Sequence, residues 1–124
     1  MDYLISGISL LALDSVYLSL IKNYFNKQIK KIQGEDIKLD LTATVATYIF
    51  LSFALYYFII KNKASVTDAF YLGLSIYAVY ELTSKAILKN WSYTTVVIDS
   101  LWGGILFASA TYITYMITKL IRKL

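Results

Sequence analysis

The 124-residue sequence contains no cysteine, no histidine and no proline. Without cysteine there is no disulfide, no thiol nucleophile and no thiolate metal site. Without histidine the side chain that most readily trades protons near neutral pH is missing. Without proline no helix is kinked by a lost amide donor. Charge is scarce as well. Asp, Glu, Lys and Arg together make up 16% of the chain, and hydrophobic residues 58%, where soluble domains average about 25% and roughly 45–50%. So little charge leaves too few groups to cover the surface of a small domain in water. The solvent that suits this composition is lipid, and the length suits one domain, residues 1–124.

Four stretches reach the ~20 mostly apolar helical residues that a bilayer core requires. They run from about Tyr3 to Ile21, Leu41 to Ile60, Val66 to Leu88 and Tyr93 to Thr118. The first has no basic residues ahead of it and no clear small-residue cleavage site, so it reads as a retained span rather than a signal peptide. The expected fold is all-α: a polytopic membrane protein built as an antiparallel four-transmembrane-helix bundle. Short links at 61–65 and 89–92 set neighbouring helices side by side. Ser65-Val66-Thr67-Asp68 has the form of a capping box opening the third helix. The longer connection, 22–40, carries Phe25, Ile29 and Ile32 at helical spacing among Lys22, Lys27, Lys30 and Lys31. It is expected to extend the first helix beyond the membrane or to lie on its surface as an amphipathic segment. Gly34 is a plausible stop and Asp40 an N-cap for the second helix.

The two sides of the membrane differ little in basic charge. Lys22, Lys27, Lys30, Lys31, Lys38, Lys85 and Lys89 fall on the side of loops one and three, against Lys61, Lys63, Lys119, Arg122 and Lys123 on the other. That excess favours loops one and three inside and both termini outside. The net charge of +4 is spread over both faces, which argues against a nucleic-acid partner. Membrane lipids are the expected partners, and the basic first loop suits anionic headgroups.

Within the spans three acids need explaining, because a charge at a helix centre in lipid costs about 2.5–3.5 kcal/mol even on the lenient scale. Asp14 lies eight residues before Lys22, Glu81 eight before Lys89, and Asp99 eight after Trp91. At 1.5 Å per residue each sits roughly 12 Å inside the same boundary. Three helices therefore bring acids to one depth in one leaflet. Tyr17, Tyr77, Tyr80, Ser84 and Lys85 accompany them on helical spacing, Thr44, Thr47 and Tyr48 belong to the same end of the second helix, and Trp102 follows Asp99 by three. With Lys89, Asn90 and Trp91 as a roof these residues outline a polar pocket. The ligand-binding candidates are Asp14, Tyr17, Tyr80, Glu81, Ser84, Lys85, Trp91, Asp99 and Trp102. Purely structural roles compete: Glu81 and Lys85 at i and i+4 can neutralise each other, Asp14 can hydrogen-bond a neighbouring helix, Asp99 can lie at the interface, and Trp91 can anchor there. In the fourth helix Ser100, Gly104 and Ala108, joined by Gly103, form a small-residue stripe for close helix packing, within the bundle or in a homodimer.

At these residues the chain resembles a family of predicted small membrane proteins, domain of unknown function 2177, found in bacteria and large DNA viruses. The likeness extends over nearly the whole chain. Its marks are Asp14 with Tyr17; Tyr80-Glu81-Leu82-Thr83 followed by Ala86, Leu88 and Trp91; and Asp99 with Trp102 and Gly103. The acid at 81 is more often Asp in the family, and Asn is usual where Ser84 stands. The resemblance implies a four-helix membrane fold, in a bacterial plasma membrane or a viral or host membrane, and it brings no activity.

A binding or accessory role ranks first, with a small cationic or amphiphilic ligand met by acids and aromatic rings. A structural component, for example of a viral membrane, ranks second. Proton or cation transport ranks third, since the acids occupy one leaflet and no repeat or broken helix is visible. A lipid-modifying enzyme ranks last: carboxylates can do acid–base work or hold Mg²⁺, but no phosphate-cradling loop or activated nucleophile accompanies them. No cofactor or resident metal is called for by this residue set.

Overall fold

The computed structural model describes residues 1–34 and 40–123. Four helices account for nearly all of them: α1 (Asp2–Gln33), α2 (Leu41–Leu55, running on as one π-helical turn over Tyr56–Ile60), α3 (Val66–Ile87) and α4 (Tyr93–Lys123). Among the described residues there is no strand. The ends are set by local chemistry. Gly34 closes α1 in the left-handed region at φ 78°, where its amide donates to the Lys30 carbonyl. The Asp40 carboxylate accepts from the Ala43 amide and the Ser65 hydroxyl oxygen from the Asp68 amide, so both expected N-caps are made. Of the two fates open to the segment after the first span, the structure takes continuation. α1 is a single helix of 32 residues, about 48 Å long. Lys38, counted above for orientation, lies outside the described residues.

The register of each helix pair follows from cross-contacts. On α1 and α4, Asp2 meets Thr118, Asp14 meets Trp102, Tyr17 meets Asp99, and Gln28 meets Ser92 and Thr95. One number rises as the other falls, so the two helices run antiparallel. α1 and α2 do the same through Tyr3 with Tyr56 and Asp14 with Tyr48. α3 and α4 form the most closely packed pair. There Gly73 and Gly103 bring the two backbones together. A Cβ on Gly103 would lie 2.6 Å from the Gly73 carbonyl oxygen, and one on Gly104 2.7 Å from the Phe70 ring. Gly103 and Gly104 of the small-residue stripe therefore face α3, within the bundle.

Burial is inverted relative to a soluble protein. Ser6, Asp14, Gln28, Glu81, Ser84, Thr95, Asp99, Ser100, Thr111 and Thr114 are buried, while Leu4, Ile8, Leu11, Val45, Ile49, Phe50 and Phe53 are exposed. An apolar exterior around a partly polar interior is what a lipid solvent selects. The apolar core proper, Leu10, Leu51, Leu55, Ile59, Ile60, Ala69, Leu106, Phe107 and Ala110, fills the half of the bundle away from the acids. Among the described residues three helices are long and apolar enough to cross a membrane: α1, α2 with its π turn, and α4. α3 has the length, about 33 Å, but Asp68, Glu81 and Lys85 dilute its apolar character. Its placement along α4 buries Glu81 and leaves Val79 and Leu82 on the outer surface.

Candidate functional site

The acids at 14, 81 and 99 stand on three helices, and the antiparallel registers bring them to one end of the bundle. All three are buried. The Asp14 carboxylate accepts from the Trp102 indole at 2.8 Å on one oxygen and from the Tyr48 hydroxyl on the other. The Tyr17 hydroxyl donates to Asp99 Oδ1 at 3.2 Å. The Trp91 indole donates to Glu81 Oε2 at 2.7 Å. Glu81 and Asp99 line the same space. The donors are neutral phenols and indoles, so they orient the carboxylates without balancing their charge. Each ring is itself fixed: Tyr17 and Trp102 stack with centroids 4.4 Å apart and planes 4° from parallel. Trp91 sits in the link between α3 and α4, which turns through Asn90 at φ 69°, and is itself buried.

These side chains surround a cavity of about 580 Å³, within the usual range for small-molecule sites. Asp14, Tyr17, Tyr48, Tyr77, Tyr80, Glu81, Trp91 and Asp99 supply its polar and aromatic lining, and Leu18, Ser19, Lys22, Phe25 and Ile29 of α1 supply the rest. Of the residues singled out from the sequence, Asp14, Tyr17, Tyr80, Glu81, Trp91 and Asp99 thus stand around one space. Trp102 stands behind it, holding Asp14 and stacking on Tyr17. Ser84 is turned to its own helix, donating to the Tyr80 carbonyl at 2.9 Å. Lys85 lies outside the lining, with its ammonium over the Tyr93 ring at 4.7 Å. The i, i+4 neutralisation of Glu81 by Lys85 therefore gives way to a Trp91–Glu81 bond. The link folds the indole back onto the acid, and the lysine finds a ring nearer the surface. Thr44 and Thr47 bond back to carbonyls of their own helix. Among the described residues no group of three Asp or Glu side chains is arranged to hold a metal ion.

The α1 contribution was not among the site residues drawn from the sequence, although a signal for it exists. Leu18, Lys22, Phe25 and Ile29 recur at spacings of four, three and four, one face of a helix continuing the Asp14 face. That face lines the same space as Tyr77, Tyr80 and Glu81 of α3 and Trp91 of the link. A second polar cluster went unnoticed, in which Tyr24, Gln28, Ser92 and Thr95 join through their hydroxyls and amide.

An all-helical chain with apolar outer faces and buried polar contacts defines a small polytopic helical membrane protein. The chain belongs to the family described as predicted membrane protein (DUF2177), which matches residues 1–116. No curated protein and no solved structure matches it.

Proposed function

We propose that this is a membrane-embedded binding protein, accessory rather than catalytic, whose cavity takes the ammonium head of an amphiphile. The observation that carries the proposal is the cavity's lining: three buried carboxylates, oriented by neutral donors, among Tyr17, Tyr77, Tyr80 and Trp91. A carboxylate offers about four lone-pair sites. Both Asp14 oxygens are engaged by α2 and α4 donors, which makes it the positioning member. Glu81 Oε1 and Asp99 Oδ2 retain capacity for a primary ammonium, and the rings add cation–π attraction of about 0.5–2 kcal/mol. Lys22 on the same lining suits the phosphate that neighbours the amine in an aminophospholipid, and Leu18, Phe25 and Ile29 suit its chain.

Native mass spectrometry of the protein released from nanodiscs of mixed phosphatidylethanolamine, phosphatidylcholine and phosphatidylglycerol tests this. Preferential retention of phosphatidylethanolamine, lost in Glu81→Gln with Asp99→Asn, is the expected result. Retention without headgroup preference, or unchanged in the double variant, overturns it.

A further inference from the structure

α2 and α3 follow one another along the chain but do not pack closely as a pair. α2 lies against α1, and α3 against α4. The space between α2 and α3 is a groove of about 520 Å³, walled by Ala46, Phe50, Leu51 and Ala54 of α2 and by Ile76 of α3. Thr47 lines it as well, but its hydroxyl donates to the Ala43 carbonyl at 2.9 Å. The walls therefore present carbon, and the Phe50 and Phe53 rings stand exposed along it.

The groove adjoins the carboxylate cavity. Tyr48 of α2 and Tyr77 of α3 line that cavity. Their chain neighbours Thr47 and Ile76 line the groove, as does Leu51, one turn on from Tyr48. Tyr48 is all that α2 gives to the cavity lining, so on this side a single ring stands between the two spaces. From Ala46 to Ala54 the groove follows α2 for about 12 Å. It starts at the level of the acids and runs away from the Asp40 cap, toward the bilayer centre. An alkyl chain takes that direction from a head held at the acids. A helix of another protein is about 10–12 Å across with its side chains, and the same length of it takes roughly 900 Å³ or more, well over the space here. A flexible chain fits.

We propose that the groove between α2 and α3 is the lateral mouth of the carboxylate cavity and the seat of an acyl chain of the amphiphile whose ammonium the cavity holds. For the head this rests on the amine-binding proposal above; for the chain it rests on the groove itself. The amphiphile enters sideways from the leaflet that contains the acids, passing its head by Tyr48 and leaving a chain against Phe50, Ala54 and Ile76. The groove is no more apolar than the lipid tails around it, so the chain gains packing rather than hydrophobic transfer. The head therefore selects the lipid and the groove fixes where its chain lies.

Photolabelling of the full chain in phosphatidylcholine nanodiscs tests this. The probes are phosphatidylethanolamine and phosphatidylcholine, each with a diazirine midway along one acyl chain, and adducts are mapped by peptide mass spectrometry. Phosphatidylethanolamine is expected to label Phe50, Phe53 and Ile76 in excess over Ile98, Leu101 and Ile105, which are exposed on α4. The excess should be lost in Ala46→Phe and in Ala54→Phe. Both alanines are half-buried, so either ring fills the groove from its edge, and one well-folded variant is enough. Phosphatidylethanolamine labelling spread evenly over the exposed faces, or a groove excess unchanged by the filling variants, overturns the chain seat, whether or not the head is bound. A groove excess equal for the two probes and unchanged in Glu81→Gln with Asp99→Asn, but lost on filling, supports the chain seat and overturns the amine-binding proposal instead.

Discussion

Asp14 offers the sharpest test of how the polar end of the bundle is built. One oxygen takes the Trp102 indole N–H and the other the Tyr48 hydroxyl, so one side chain joins α1 to α4 and to α2. Asp14→Ala removes both acceptors at once and strands two donors in an interior where water does not readily replace them. Interhelical hydrogen bonds in membranes average about 0.6 kcal/mol and reach about 1.7, which puts the two together at about 1–3 kcal/mol. Asp14→Asn is expected to recover little of it. An amide offers one acceptor oxygen, and its NH₂ would oppose one of the two donors. The clean measurement is a double-mutant cycle with Tyr48→Phe, which removes a single hydroxyl without changing packing. Unfolding of reconstituted protein followed by tryptophan emission gives the free energies, and Asp14→Ala with Tyr48→Phe should show coupling of about 0.6–1.7 kcal/mol. A coupling indistinguishable from zero, or an Asp14→Ala effect below about 0.5 kcal/mol, refutes the view that Asp14 positions these helices.

Other expectations follow from individual contacts. Gly73→Ala would drive a methyl group into the Gly103 carbonyl and to 2.8 Å from the Phe107 Cβ. The α3–α4 pair must then separate, at a cost of about 1–3 kcal/mol or more, visible as a lower midpoint of thermal unfolding in detergent. Gly34→Ala meets no atom within 4 Å among the described residues and is the control, limited to the strain of its positive φ. Ser65→Ala removes the acceptor that caps α3 and should destabilise by about 0.5–2 kcal/mol, with Ser65→Asp restoring most of it in the same assay. Because the chain has no cysteine, single-cysteine labelling has no background. If the lysine excess sets topology, Asn62→Cys reacts with an impermeant thiol reagent added outside cells and Lys89→Cys reacts only after permeabilisation; the opposite pattern reverses the orientation.

What the sequence makes legible here is what local geometry determines. The ends of α2 and α3 could be read because an Asp or Ser three residues before an amide is a capping contact whatever the rest of the chain does. The common depth of Asp14, Glu81 and Asp99 could be read because helical rise is fixed and the spans are antiparallel. Partner choice was less legible. Glu81 and Lys85 share a helix face, but Trp91, ten residues away, takes the acid because the link returns the chain over the end of α3. The π-helical turn at Tyr56–Ile60 carries no glycine or proline to announce it. It is fixed by tertiary contact, with Ile59 and Ile60 buried in the core and the Tyr115 hydroxyl donating to the Ala64 carbonyl at 2.6 Å just beyond.

The extension of α1 shows why charge and apolar spacing in one segment can carry more than one meaning. From Lys22 onward the pattern satisfies a helix lying on a membrane surface, and that description accounts for the lysines. It does not account for Gln28, a polar residue that a surface helix would leave in water and that is instead buried against Ser92 and Thr95. Once Gln28 is buried, the helix must stand along the α3–α4 link, and its two faces acquire different neighbours. Lys22, Phe25 and Ile29 complete the wall of the carboxylate cavity, while Tyr24, Lys27 and Lys31 line a smaller cavity beside Asn90 and Ser92. A helix ending at the membrane boundary near Lys22 would leave the carboxylate cavity without Phe25 and Ile29, and the smaller cavity without Lys27 and Lys31. The length of α1 beyond the ~30 Å a bilayer core requires is therefore part of the architecture of both cavities.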